Sequence, residues 1–365
     1  MIICANPNAQ FRSYQTEIEA AVLSVIRSNN YILGEEVSAL EEEFSNYIGT
    51  TSAIGVANGT DAIEIALRAL EIGPGDEVIT VSHTAVATVA AIEATGATAV
   101  LVDIEPLFYT LNPMQLAEVF TERTKAVIAV HLYGQPADLD AISKFCIKYD
   151  LFLIEDASQA HGAKYKNKRL GSIGHFGCFS CYPTKNLGAI GDAGLITTND
   201  SNLEKKVRML REYGWSNRIS QFRGRNSRLD EIQAAILRIK LKYLDLDNAK
   251  RVNLAKYYKN QLSGLSLSLP TIRKEGHSVF HLFVIQVASR QKLFEFLKQE
   301  NIYLGIHYPQ PIHLQPAYLD RVLRAKDLGV TEVIVERIVS LPIYPELKVS
   351  DAQKVVEAIA LFQNN

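Results

Sequence analysis

Between Ser52 and Ile154 short apolar runs alternate with stretches of helical periodicity, and nothing else in the chain restricts its fold as much. The runs Ser52–Ala57, Glu77–Val81, Ala97–Val102, Lys125–His131 and Leu151–Ile154 have the length and composition of strands. Between them, Ala62–Leu70, Ala85–Ala94, Pro113–Thr121 and Leu139–Tyr149 carry apolar residues at helical spacing. This alternation predicts an α/β architecture, with a mostly parallel sheet covered by helices on both faces. Ligands of such sheets gather beyond the carboxyl ends of the strands. The residues at those ends are Asn58 to Thr60, Ser82 and His83, Asp103, His131 to Tyr133, and Glu155 with Asp156.

Helices Gln15–Arg27 and Glu36–Ile48 are predicted ahead of this block. After it come a strand at Leu195–Thr198, a helix at Ser201–Tyr213 and a long helix at Leu229–Leu246. From about Ala249 the composition changes. A helix to Leu262, a β-rich patch at Val279–Val287, a helix at Gln291–Glu300 and a final helix after Ser350 predict a smaller α+β unit. The reading is a large domain over residues 1–246 and a small one over 247–365. A chain of 365 residues that is 47% hydrophobic can fill both cores.

The net charge of -2 offers no basic field for nucleic acid or an anionic membrane. The cluster Arg218, Arg223, Arg225 and Arg228 is too short to change that, though it could hold a phosphate. No apolar run reaches the roughly 20 residues that span a bilayer, and the first residues lack an apolar signal core, so a cytoplasmic location is expected. Cys178 and Cys181 spell C-x-x-C without a second pair for zinc, and they read as buried thiols on a strand. No G-x-G-x-x-G follows any strand, which argues against a nicotinamide dehydrogenase.

The segment FGCFSCYPTKNLGAIGDAG, Phe176 to Gly194, sets Lys185 between a β-prone run and a glycine-rich loop. Pro183 and Thr184 turn the chain there. An amine attacks a carbonyl only when neutral, so such a lysine must be partly desolvated. Taken alone, Lys185 reads first as a solvated loop lysine, and the residues upstream decide otherwise. Upstream, Leu151–Ile154 ends in Glu155-Asp156, and alternation turns these two carboxylates to opposite faces of the sheet. A cationic ring nitrogen suits one of them better than a glycosidase reaction, whose paired carboxylates come from separate elements. The turn Asn58-Gly59-Thr60-Asp61 opens a helix whose free amides suit an anion. Lysine, carboxylate and anion site together meet the requirements of pyridoxal phosphate.

The blocks ANGTDAIEIAL, HLYGQPADLDAI, LIEDASQAHGA and SCYPTKNLGAIGDAG resemble the DegT/DnrJ/EryC1/StrS sugar aminotransferases, in register from about Asn30 to Leu241. HYPQPIHLQPAY near Tyr308 extends the likeness. The resemblance implies an aspartate-aminotransferase-like, fold type I large domain. It makes Lys185 the Schiff-base lysine and proton shuttle, Asp156 the partner of the pyridinium nitrogen, and Gln159 the contact to the ring's phenolic oxygen. It gives the phosphate to Gly59, Thr60 and Ser180, with Asn226 reaching in from the partner subunit of a homodimer. Tyr182, Tyr308 and His313 fall on the sugar side. Many members carry an aromatic residue against the ring where Ala85 aligns, and His83, at the same strand parity, is read as covering the ring or as a cap. Position 181, often phenylalanine in the family, is cysteine here, which reads as core tuning.

The implied reaction moves an amino group from an amino acid, L-glutamate, to a nucleotide-linked keto sugar. HLYGQPADLD resembles members acting on 3-keto sugars. The expected substrate is therefore a dTDP-3-keto-6-deoxyhexose, and the product a dTDP-3-amino-3,6-dideoxyhexose for lipopolysaccharide, O-antigen or glycoside synthesis. A 4-keto substrate is the alternative, and a non-catalytic sensor on the same fold is the alternative of a different class. Dehydratase relatives replace the lysine with histidine, and Lys185 stands against that.

Overall fold

At the centre of the computed structural model, which describes residues 1–364, lies an eight-stranded sheet. From one edge its strands are Leu323–Arg324, Thr98–Val102, Glu77–Val81, Thr124–Val130, Phe152–Asp156, Phe176–Ser180, Gly194–Thr198 and Ser52–Val56. Gly194–Thr198 runs antiparallel to both neighbours, and the other pairings are parallel. The central strands are buried on both faces, as their continuous apolar runs require. Asn58 starts the helix Gly59–Ala69 by accepting the Asp61 N–H on its side chain at 2.9 Å. That helix packs against both Val86–Thr95 and the strand Phe176–Ser180.

The strands and helices lie close to their predicted positions, with two informative differences. The run expected to stop at Ile154 continues as strand to Asp156, because Glu155 and Asp156 pair with Ala129 and Val130 on one side and Gly177 and Cys178 on the other. The two expected helices around position 246 are one helix, Glu231–Leu262, of 32 residues. Its first half sends Leu237, Leu241 and Leu244 into the core around the sheet. Its second half sends Leu254, Tyr258 and Leu262 into a second core with Phe283, Leu297 and Ile359. Ile2, from the other end of the chain, joins that second core too.

Cys178 and Cys181 are fully buried free thiols. Among the described residues no helix is long and apolar enough to cross a membrane, and no group of side chains could hold a metal ion.

Candidate active site

The carboxyl ends of the strands surround a cavity of about 600 Å³. Lys185 enters it from a turn closed by its own N–H on the Tyr182 carbonyl at 2.8 Å. Desolvation brings its ammonium down to about 8, against the raising pull of Asp156 and Cys181. Roughly a tenth of the amine is therefore neutral at pH 7, where an exposed lysine would have almost none.

Asp156 and Glu155 face opposite ways, as strand alternation requires. Glu155 is fully buried and accepts from His131 Nε2 at 3.1 Å and from the N–H groups of Gly171, Ile173 and Gly174 at 2.7–2.8 Å. Burial alone would raise its pKa, but these donors hold it below the usual carboxylate range. The Ala137 N–H donates to His131 Nδ1 at 3.1 Å, so Nε2 carries the proton that Glu155 receives. Glu155 is thus consumed in anchoring a loop. Asp156 lines the cavity, and its oxygens accept the Ser158 N–H at 3.2 Å and the Thr88 hydroxyl at 2.8 Å.

Gln159 is held by both ends of its amide. Its Oε1 accepts the Tyr133 N–H at 2.8 Å, and its Nε2 donates to the Tyr308 hydroxyl at 3.0 Å. Across the cavity, Gly59 and Thr60 open their helix with N–H groups that have no partner within the helix. A Cβ on Gly59 would lie 2.5 Å from Ser180 Cβ, so glycine alone lets the helix start and Ser180 converge. Tyr182 stands half-exposed among the lining residues.

Three expected residues do not line this cavity. His83 was read as covering a ring or as a cap; the strand ends at Val81, so the period-two parity behind the first reading does not carry through to His83 and Ala85. Its Nε2 instead meets the Tyr133 hydroxyl at 2.6 Å, and that hydroxyl donates to the His307 carbonyl. The small Ala85 lines the cavity itself. His313 is buried between Ser82 Oγ at 2.6 Å and Glu332 Oε1 at 3.0 Å, away from the expected sugar side. Asn226 is exposed, its Oδ1 accepting from Arg228 Nε at 2.8 Å. Its neighbours fold back on the same chain: the Ser227 hydroxyl accepts the Ala57 N–H, and Arg225 pairs with Asp61 and Glu64.

His281 and His307 line the cavity without having been expected there. They bond Asn186 Oδ1 at 3.1 Å and Ser340 Oγ at 2.9 Å. Burial, and then the nearby Lys185, keeps both neutral, with His307 at about 4. Adjacency to Tyr308 was the available signal for His307; His281 sits in no motif. A groove of about 630 Å³ at the opposite strand ends is lined by Leu153, His175 and Asp200. Asp200 there caps the helix Ser201–Leu210, so the reactive groups converge only in the carboxyl-end cavity among the described residues.

A neutral-capable amine, a carboxylate on one side and open helix amides on the other suit a planar cationic ring with a phosphate tail. Fold and cavity together define an aminotransferase of the aspartate-aminotransferase type. The chain belongs to the DegT/DnrJ/EryC1/StrS aminotransferase family, whose model matches residues 12–360. It is 46% identical to a dTDP-3-amino-3,6-dideoxy-alpha-D-galactopyranose transaminase of Aneurinibacillus thermoaerophilus, over 95% of each chain. It is 42% identical to a dTDP-3-amino-3,4,6-trideoxy-alpha-D-glucose transaminase of Streptomyces venezuelae, over 96% of this chain and 93% of that one. The crystal structure of S. venezuelae DesV superposes with a TM-score of 0.97 at 40% identity, covering 100% of this chain and 99% of the other.

Proposed function

We propose that this protein moves the amino group of L-glutamate to the 3-keto group of a dTDP-linked 6-deoxyhexose. The product is a dTDP-3-amino-3,6-dideoxyhexose destined for a surface polysaccharide or a glycoside. The observation that carries the reading is the amine of Lys185, desolvated and set across one cavity from Asp156. Both transaminase relatives above are named for 3-amino dTDP sugars, which supports dTDP and C3 over C4.

The cofactor is pyridoxal phosphate, which when bound supplies an aldehyde for the amine and a protonated ring that withdraws electrons. Gly59, Thr60 and Ser180 hold its phosphate with backbone amides and a hydroxyl. Asp156 keeps the ring nitrogen charged, and the amide N–H of Gln159 donates to the phenolic oxygen. Lys185 takes a proton from the donor carbon and returns it on the sugar side, a shuttle its pKa near 8 permits at neutral pH. Tyr182 and Tyr308 face the sugar, and the neutral His281 and His307 add no charge beside the amine.

Purified protein with L-glutamate should aminate a dTDP-3-keto-6-deoxyhexose at least tenfold faster than its 4-keto isomer or a UDP-linked 3-keto sugar. Preference for either of the others would replace the substrate while leaving the aminotransferase in place.

The active unit is a homodimer in which Asn226 reaches the neighbour's phosphate. Its exposure, beside exposed Trp215, Ile219 and Phe222, supports this. Mixing inactive Lys185→Ala with inactive Asn226→Asp protein should restore one working site per heterodimer. No recovery after verified subunit exchange would end the shared-site reading.

A further inference from the structure

Asp156 is held by a short line of hydroxyls, whose far member, Thr84, itself lines the cavity. Thr88 Oγ1 donates to Asp156 Oδ2 at 2.8 Å, and Thr84 Oγ1 lies 3.0 Å from Thr88 Oγ1. The three side chains are 5%, 0% and 3% exposed in the order Asp156, Thr88, Thr84. An ionised carboxylate only accepts, so the single proton of Thr88 points at Asp156 and its oxygen receives the proton of Thr84. The line therefore has one direction, from Thr84 through Thr88 to Asp156. A threonine in a helix commonly turns its hydroxyl onto a carbonyl of the preceding turn. Thr88 gives its proton to the carboxylate instead, and the helix Val86–Thr95 that bears it begins at Ala85 with no side-chain cap.

We propose that Thr88, backed by Thr84, is a positioning residue that fixes the orientation and charge of Asp156 toward the cofactor ring. This rests on the reading that Asp156 meets the ring nitrogen. The Ser158 N–H on one oxygen and the Thr88 hydroxyl on the other leave the remaining lone pairs for the cavity. Without the hydroxyl, Oδ2 is buried with one partner fewer and the carboxylate is free to turn. The same helix end brings Ala85 and Ala87 to the cavity. Ring contact and grip on the carboxylate thus come from one rigid element.

The test compares Thr88→Val, which keeps the shape, with Thr88→Ser, which keeps the hydroxyl. Thr88→Ala removes the hydroxyl a second way should the valine variant not fold. Two readouts apart from turnover are the dissociation constant of pyridoxal phosphate and the pH titration of its visible absorbance when bound. Thr88→Val should weaken binding about tenfold, the scale of a hydrogen bond to a charged group, and displace the titration. Thr88→Ser should restore both. Thr84→Val should give a smaller shift of the same sign and none in the Thr88→Val background, as a line in series requires. The proposal is overturned if hydroxyl removal changes neither readout while Asp156→Asn changes both, or if Thr88→Ser fails as Thr88→Val does. Additive effects of the two threonines would remove Thr84 from it. If Asp156→Asn also changes nothing, the fault lies with the reading of Asp156 itself.

Discussion

Lys185 and Lys240 are both stripped of water, and burial brings both ammonium groups down to about 8. What faces the two nitrogens is different. Lys240, on the long helix, donates to the Gly188 carbonyl at 2.6 Å and to Gln10 Oε1 at 3.0 Å. Gly188 belongs to the loop that follows Lys185, and that loop doubles back so closely that a Cβ there would meet the Pro183 carbonyl at 2.5 Å. The effects on Lys185 are burial and the nearby Asp156 carboxylate, with no hydrogen bond to its amine among the described residues. Desolvation therefore does not by itself mark a nucleophile. One buried lysine is consumed in clamping the loop, and that clamp presents the other to the cavity.

The comparison breaks most visibly on turnover. Lys185→Ala should lose at least about 10⁴-fold, the upper scale of positioned proton transfer, while the folded protein still takes up cofactor noncovalently. Lys240→Met should keep most turnover and lose about 1–3 kcal/mol of stability, because Gly188 and Gln10 are left without a buried donor. Borohydride reduction of the loaded enzyme, followed by peptide mapping, should label Lys185 and leave Lys240 unmodified. Label on Lys240 would dissolve the distinction.

Asp156 sharpens it next. Its charge raises the Lys185 amine, whereas Glu346 and Asp247 do so for Lys240. Asp156→Asn should cost about 10²–10³-fold in turnover and move the pH at which Lys185 captures cofactor below about 8. Glu155→Gln should lower the unfolding midpoint instead, since Glu155 serves His131 and three backbone N–H groups. A crippled Glu155→Gln beside a mild Asp156→Asn would mean that the wrong carboxylate has been placed at the ring.

The two lysines also show where the sequence was readable. Lys185 stood out only once Glu155-Asp156 and the Asn58–Asp61 turn were read beside its own turn and glycines, and the opposed facing of Glu155 and Asp156 followed from period two on a strand. The same parity misled at His83, because alternation holds only while the ladder does, and the ladder stops at Val81. Lys240 sat inside a periodic helix with nothing to mark it, since its acceptors come from Gln10 and Gly188, far away in the chain. The domain boundary read at 246, from the change of composition after it, falls inside that same helix. Asp247 takes the Tyr14 hydroxyl at 2.9 Å, and Asn248 bonds Asn186 and the His161 carbonyl at 2.8 Å, so tertiary partners satisfy what would otherwise end a helix. His281 reaches the cavity from a distant segment that no local pattern marks, whereas His307 had only its place beside Tyr308 to point to it.

The smallest effect is a slope. Both lysines have folded pKa values near 8, below the unfolded value of about 10.4, so the unfolded chain holds more protons between those limits. Stability of the cofactor-free protein should therefore gain up to about 1.4 kcal/mol per pH unit from each lysine across that window, and nothing from either below pH 8. Raised tyrosines and cysteines act in the opposite sense, so the quantity to measure is the difference between variants in urea unfolding at pH 8, 9 and 10. Lys240→Met and Lys185→Met should each remove a similar share of the rise. If pyridoxal phosphate engages Lys185 and not Lys240, as proposed, loading should remove the first share and spare the second. If loading removes both, or if Lys240→Met leaves the slope intact, the two amines are not the matched pair that their burial implies.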